Sequence, residues 1–145
     1  CEIGVLSNGA DEVLAKKMQD FGTYTGIAFQ IKDDLFDYLS KNIIGKPVGI
    51  DIKEQKMTLP LIFTLNSAKE IDRKYFFNII KKHNNNQSKV KELIEFVKKS
   101  GGLDYAIGVM KDYQQKAKNI LAEFPDSEAK HSLNLMLDYV IERKF

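Results

Sequence analysis

Gly22-Thr23-Tyr24-Thr25-Gly26-Ile27-Ala28-Phe29-Gln30-Ile31-Lys32-Asp33-Asp34-Leu35-Phe36-Asp37-Tyr38 divides into two chemically distinct sides when wound as a helix. At about 100° per residue, Gly22, Gly26, Gln30, Asp33 and Asp37 fall on one side, and Tyr24, Ala28, Ile31 and Leu35 on the other. The second side is built to pack against neighbouring helices. The first carries two residues without side chains, an amide and acids, and does not read as core. A long amphipathic helix of this kind belongs in an all-α protein.

Outward from this segment the pattern stays helical. Ser7-Asn8-Gly9-Ala10 reads as a connector, and Asp11 or a neighbour can cap the long helix, which is expected to run to about Leu39. Residues 40–57 hold two glycines, a proline and several lysines without an apolar stripe, and read as a loop. Thr58 can then serve as an N-cap, with Pro60 tolerated in the first turn, for a helix through about Leu65. Further helices are expected over Ile71–Lys82, Val90–Lys99, Leu103–Phe124 and Ser127–Arg143, with Asn84-Asn85-Asn86 as a polar break and Gly101-Gly102 as a stop signal. Pro47, Pro60 and Pro125 all fall where the periodicity is interrupted, and no stretch alternates with period two long enough for a strand. Without repeats or a long linker, residues 1–145 read as a single helical region.

Composition narrows the classes of function. With 43% hydrophobic residues the chain can build a core. Its 22 basic residues nearly cancel its 20 acidic ones, so no global field points to nucleic acid or an anionic membrane. No apolar run approaches the roughly 20 residues that span a bilayer, and Cys1-Glu2-Ile3-Gly4 is not the basic start of a signal peptide. Cys1 is the only cysteine, which excludes an internal disulfide framework and fits a reducing compartment, with cytoplasm as the default. Ile3, Val5 and Leu6 read like the last turn of a helix begun upstream, so the chain is expected to be part of a longer protein.

Asp33 and Asp37 stand one turn apart, with Cβ atoms expected about 6 Å from each other, and like charges at that spacing disfavour an isolated helix. A hard divalent cation would offset the repulsion. Mg²⁺ suits carboxylate oxygens, keeps several waters, and bridges one or two carboxylates to substrate phosphates. An Asp-Asp-x-x-Asp run alone is ordinarily a solvated face. Here it is followed within ten residues by Gly45-Lys46-Pro47-Val48-Gly49-Ile50-Asp51-Ile52-Lys53-Glu54-Gln55-Lys56-Met57-Thr58-Leu59-Pro60, in which Lys46 and Lys56 flank Asp51. Lysines beside a carboxylate-bound metal are what a diphosphate requires.

Together, Gly26-x-x-Phe29-Gln30-x-x-Asp33-Asp34-x-x-Asp37, Gly45-Lys46-x-x-Gly49-x-Asp51 and Lys56-x-Thr58-Leu59-Pro60 resemble the second aspartate-rich region of the trans-isoprenyl (polyprenyl) diphosphate synthases. Ser100-Gly101-Gly102-Leu103-Asp104-Tyr105-Ala106 resembles the segment that opens the family's penultimate long helix. The resemblance is strongest over Gly22–Pro60 and faint after about Phe124. It implies the C-terminal half of an isoprenoid-synthase-type helical bundle. It also implies a prenyltransferase reaction in which an allylic diphosphate condenses with isopentenyl diphosphate, with Mg²⁺ as cofactor and a homodimer as the usual assembly. By resemblance, Asp33 is the direct Mg²⁺ ligand, and Asp34 and Asp37 arrange the metal's waters. Lys46 and Lys56 contact the diphosphate, and Gln30 and Asp51 support the site through hydrogen bonds. Phe21, Phe29 and Phe36 fit either the greasy wall such chemistry needs or ordinary core.

The family's first aspartate-rich motif, its isopentenyl diphosphate-binding basic residues and its Lys-Thr pair do not occur here, so this chain by itself is expected not to catalyse prenyl transfer. Two other readings stay open: a non-catalytic helical subunit of such a synthase, against which the three aspartates and two lysines argue, and a helical interaction module with an incidental acidic patch. Asp33–Asp37 lacks the alternating oxygen ligands and central glycine of a calcium-binding EF-hand loop. His83 and His131 have no partner at metal-ligand spacing and read as surface or structural residues.

Overall fold

The computed structural model describes residues 1–39 and 48–143. Among these residues there is no strand, and the helices in chain order are α1 (Glu2–Leu6), α2 (Glu12–Leu39), α3 (Ile50–Lys53), α4 (Leu59–Ser67), α5 (Glu70–Lys82), α6 (Gln87–Lys99), α7 (Gly102–Ala122) and α8 (Glu128–Glu142). The fold is all-α, as the periodicity implies. No helix of the described residues is long and apolar enough to cross a membrane.

The chain gathers into two compact units. Among the described residues, one comprises 1–32 and 109–143; the other comprises 33–39 and 48–108. In the first unit, the Asp11 side chain accepts the Leu14 N–H at 2.8 Å and so starts α2. Ala15, Met18, Phe21, Thr25, Ala28 and Ile31 then turn inward at steps of three or four residues. Met18 and Phe21 meet Ala117 and Leu121 of α7 and Leu137 of α8, with Tyr24, Phe124 and Leu133 packed around them. Each large side chain so buried contributes about 1.5–3 kcal/mol. Ser127 caps α8 by accepting the Lys130 N–H.

In the second unit, α4, α5 and α6 pack on one another around Leu61, Leu65, Phe76, Ile79, Leu93 and Val97. Asn86, part of the polar break, is the N-cap of α6 and accepts N–H bonds from Ser88 and Lys89. Gly102 opens α7 where it passes α4 so closely that an added Cβ would stand 2.4 Å from Thr64 Oγ1 and 2.7 Å from the Pro60 carbonyl.

Two features depart from the sequence-based expectation. The segment read as loop contains α3, whose four residues are too few for a helical stripe to show. Thr58 does occupy the N-cap of α4 but makes no capping bond with its side chain. Its hydroxyl is instead held at 2.6 Å by the Tyr38 hydroxyl at the end of α2. Pro60 in the first turn has no N–H to satisfy, so the helix loses less by this than another sequence would.

Candidate functional site

α2 ends with three acids and no basic residue in its last turn. Of Asp33, Asp34 and Asp37, Asp37 stands in the last turn, at the negative end of the helix dipole, where an acid costs a few tenths to about 1 kcal/mol. All three are half-buried. Something must compensate, and for Asp37 the compensation is visible.

The Asp37 carboxylate accepts three backbone N–H groups from the start of α3. Its Oδ1 takes Gly49 N–H at 3.1 Å and Ile50 N–H at 2.9 Å, and its Oδ2 takes Asp51 N–H at 3.1 Å. The Gly49 N–H also reaches the Asp37 carbonyl at 3.2 Å. These are otherwise the orphan donors of a helix start, so a carboxylate from α2 supplies the N-terminal cap of α3. Gly49 turns into this arrangement at φ +82, and a Cβ on it would stand 2.6 Å from Val90 Cγ1. Burial holds the Asp37 carboxyl above its ordinary value, and the Asp51 charge adds to the rise, against the pull of the three backbone bonds.

The other end of α3 delivers Lys56. Gln55 N–H bonds the Ile52 carbonyl at 3.0 Å and Lys56 N–H bonds the Asp51 carbonyl at 2.8 Å, the paired bonds of a Schellman turn. Gln55 takes the left-handed position at φ 58, where glycine is usual. The Asn84 side chain donates to the Lys53 carbonyl at 2.7 Å, and Ile52 is fully buried, so α3 is pinned along its whole length. Lys56 Nζ then reaches Asp51 Oδ1 at 3.3 Å and Glu54 Oε2 at 2.6 Å. These two carboxylates, Glu54 first, raise the Lys56 ammonium above its ordinary value, so it stays charged.

Of the residues expected to form the site, Asp37, Asp51 and Lys56 are joined by direct hydrogen bonds. Asp33 and Asp34 lie about one turn earlier on α2, in the same unit. Gln30 is exposed on α2 within the first unit. Lys46 lies outside the described residues, as do Gly45 and Pro47. Among the described residues no three His, Cys, Asp or Glu side chains are placed to hold a metal together. The donor set still suits Mg²⁺, which takes only one or two protein carboxylates. Of the aromatics near the acids, Phe21 is core, Phe36 is half-buried, and Phe29 is partly exposed with the Arg143 guanidinium 4.3 Å from its ring centroid.

Tyr38, Gln55 and Asn84 escaped the sequence reading. Tyr38 continues the Ala28, Ile31, Leu35 stripe by one more step and could have been found there. Asn84 reads as an ordinary turn residue, and nothing in the sequence marks Gln55 as left-handed.

The Polyprenyl synthetase family model matches residues 1–97. The chain is 36% identical over 141 residues to a short chain isoprenyl diphosphate synthase of Methanothermobacter thermautotrophicus, covering 97% of this chain and 42% of that protein. Among solved structures, it is similar to a geranylgeranyl pyrophosphate synthase from Bacteroides thetaiotaomicron, at TM-score 0.89 and 37% identity, over 98% of this chain and 47% of that one. It is likewise similar to a polyprenyl synthase from Caulobacter crescentus complexed with calcium and isoprenyl diphosphate, at TM-score 0.85 and 30% identity, over 98% and 44%. The chain therefore spans less than half the length of these relatives.

Proposed function

The chain belongs to the polyprenyl synthetase family, and we propose that it supplies the C-terminal portion of a trans-prenyltransferase, including one of that enzyme's two metal-diphosphate sites. The proposed reaction joins an allylic diphosphate to isopentenyl diphosphate. The allylic C–O bond breaks, the carbocation adds to the isopentenyl double bond, and loss of a proton leaves a longer trans allylic diphosphate and free diphosphate. The observation that carries this reading is the short, capped link from the acidic end of α2 through α3 to Lys56, in a chain related over nearly its whole length to diphosphate synthases.

Asp33 would hold Mg²⁺ and Asp34 would orient its waters, and a calcium-bound relative with isoprenyl diphosphate supports a divalent cation as cofactor. Bound there, Mg²⁺ would act as a Lewis acid on the leaving diphosphate. Lys56 would exchange its exposed Glu54 partner for a diphosphate oxygen, at little cost because surface ion pairs are worth about 0–1 kcal/mol. Asp51 would remain behind it as a hydrogen-bond acceptor. Lys46 would add a second positive charge, and the part given to Gln30 rests on the resemblance alone. The protein would work as a homodimer in the cytoplasm.

Half a site cannot run the chemistry, so the 145-residue chain incubated with both substrates and Mg²⁺ is expected to release no product while the complete synthase turns over. Robust product from the chain alone would overturn this assignment.

A further inference from the structure

We propose that Asp37 is a positioning residue, which fixes α3 and through it Lys56, and does not bind the metal. The inference rests on the reading of Lys56 as a diphosphate ligand. A carboxylate offers about four lone-pair sites, and three backbone N–H groups at 2.9–3.1 Å already point at those of Asp37. Coordination at the one position left, on Oδ2, would compete with the Asp51 N–H for that oxygen and loosen the cap. With the cap in place, direct coordination is left to Asp33, and the metal's waters to Asp34.

The consequence runs along α3. One turn of helix has no stability of its own, because nucleation fixes several residues for a single bond. α3 persists because Asp37 holds its start, Ile52 anchors its middle and Asn84 holds its end. Lys56 is the residue on which the closing Schellman turn finishes, and Gln55 keeps its unfavourable left-handed backbone only while that turn is formed. Loosening Asp37 therefore frees Lys56 to wander, although the two side chains share no bond.

Hydrogen exchange and turnover on the complete synthase test this, with Asp37→Asn beside Asp33→Asn. The amide of Asn cannot accept at its nitrogen. Exchange at Gly49, Ile50 and Asp51, measured without metal or substrate, should quicken roughly tenfold or more in Asp37→Asn. It should stay at the wild-type rate in Asp33→Asn and, in both variants, across α6. In turnover, Asp37→Asn should raise the KM for the allylic diphosphate and leave the Mg²⁺ concentration for half-maximal rate unchanged, whereas Asp33→Asn should shift that concentration. Unchanged exchange at residues 49–51, acceleration spread over α6, or an Mg²⁺ shift in Asp37→Asn like that of Asp33→Asn would each overturn the proposal. An Asp33→Asn enzyme with normal Mg²⁺ dependence would instead overturn the metal-site reading, leaving the cap to be judged by exchange.

Discussion

Tyr38 is 1% exposed, and its hydroxyl meets the Thr58 hydroxyl at 2.6 Å. Burial raises its phenol well above the ordinary range, only partly countered by the Thr58 bond. The folded protein thus keeps a proton that the unfolded chain releases above about pH 10. Fewer protons on the unfolded chain mean that stability falls as pH rises, so Tyr38's contribution is whole below that pH and declines above it, by at most about 1.4 kcal/mol per pH unit. Tyr38→Phe should cost about 1 kcal/mol near neutral pH, by leaving Thr58 without its partner, and should flatten the alkaline decline. Denaturant midpoints near neutrality and near about pH 11 would show this, and parallel declines in the two proteins would refute it. The sequence exposes only half of this pair's role. Tyr38 falls on the apolar stripe, but Thr58 looks like a plain helix cap, because a capping residue and a buried hydrogen-bond partner are the same letter.

At the level of elements, the long helices were legible because α2, α6 and α7 bury stripes that repeat every three or four residues. α3 was not, since its four residues owe their helicity to Asp37 and Asn84, which are brought to it only by folding, and to the burial of its own Ile52. The candidate site shares this split: its acids and lysines were visible as a motif, whereas the capping bonds that join Asp37 to Asp51 were not. Gly101-Gly102 reads as the stop signal after α6, but the signal does not separate their tasks, and Gly102 is already the first residue of α7. Gly101 adopts φ +77, and Gly102 lies against Thr64 and Pro60. Gly102→Ala should therefore destabilise the protein by about 1–3 kcal/mol, because backbone as well as side chain must give way. Gly26→Ala, on an exposed part of α2 with nothing within 4 Å of the added methyl, should be neutral or stabilising by up to about 1 kcal/mol. Equal losses in the two variants, read from denaturant midpoints, would contradict this packing.

For the molecule as a whole, the family was legible because its motif joins two chemistries in a short span: acids that suit a magnesium ion and lysines that suit a diphosphate. The relatives are about twice as long as this chain, which is why turnover is assigned to a larger protein and ligand binding to the residues present here. That binding is open to direct measurement by calorimetry, titrating inorganic pyrophosphate into the 145-residue chain with and without Mg²⁺. A metal-diphosphate site at the end of α2 predicts binding only when Mg²⁺ is present, weakened roughly tenfold or more by Asp33→Asn and by Lys56→Gln. Equal binding without Mg²⁺, or affinity indifferent to both substitutions, would contradict it.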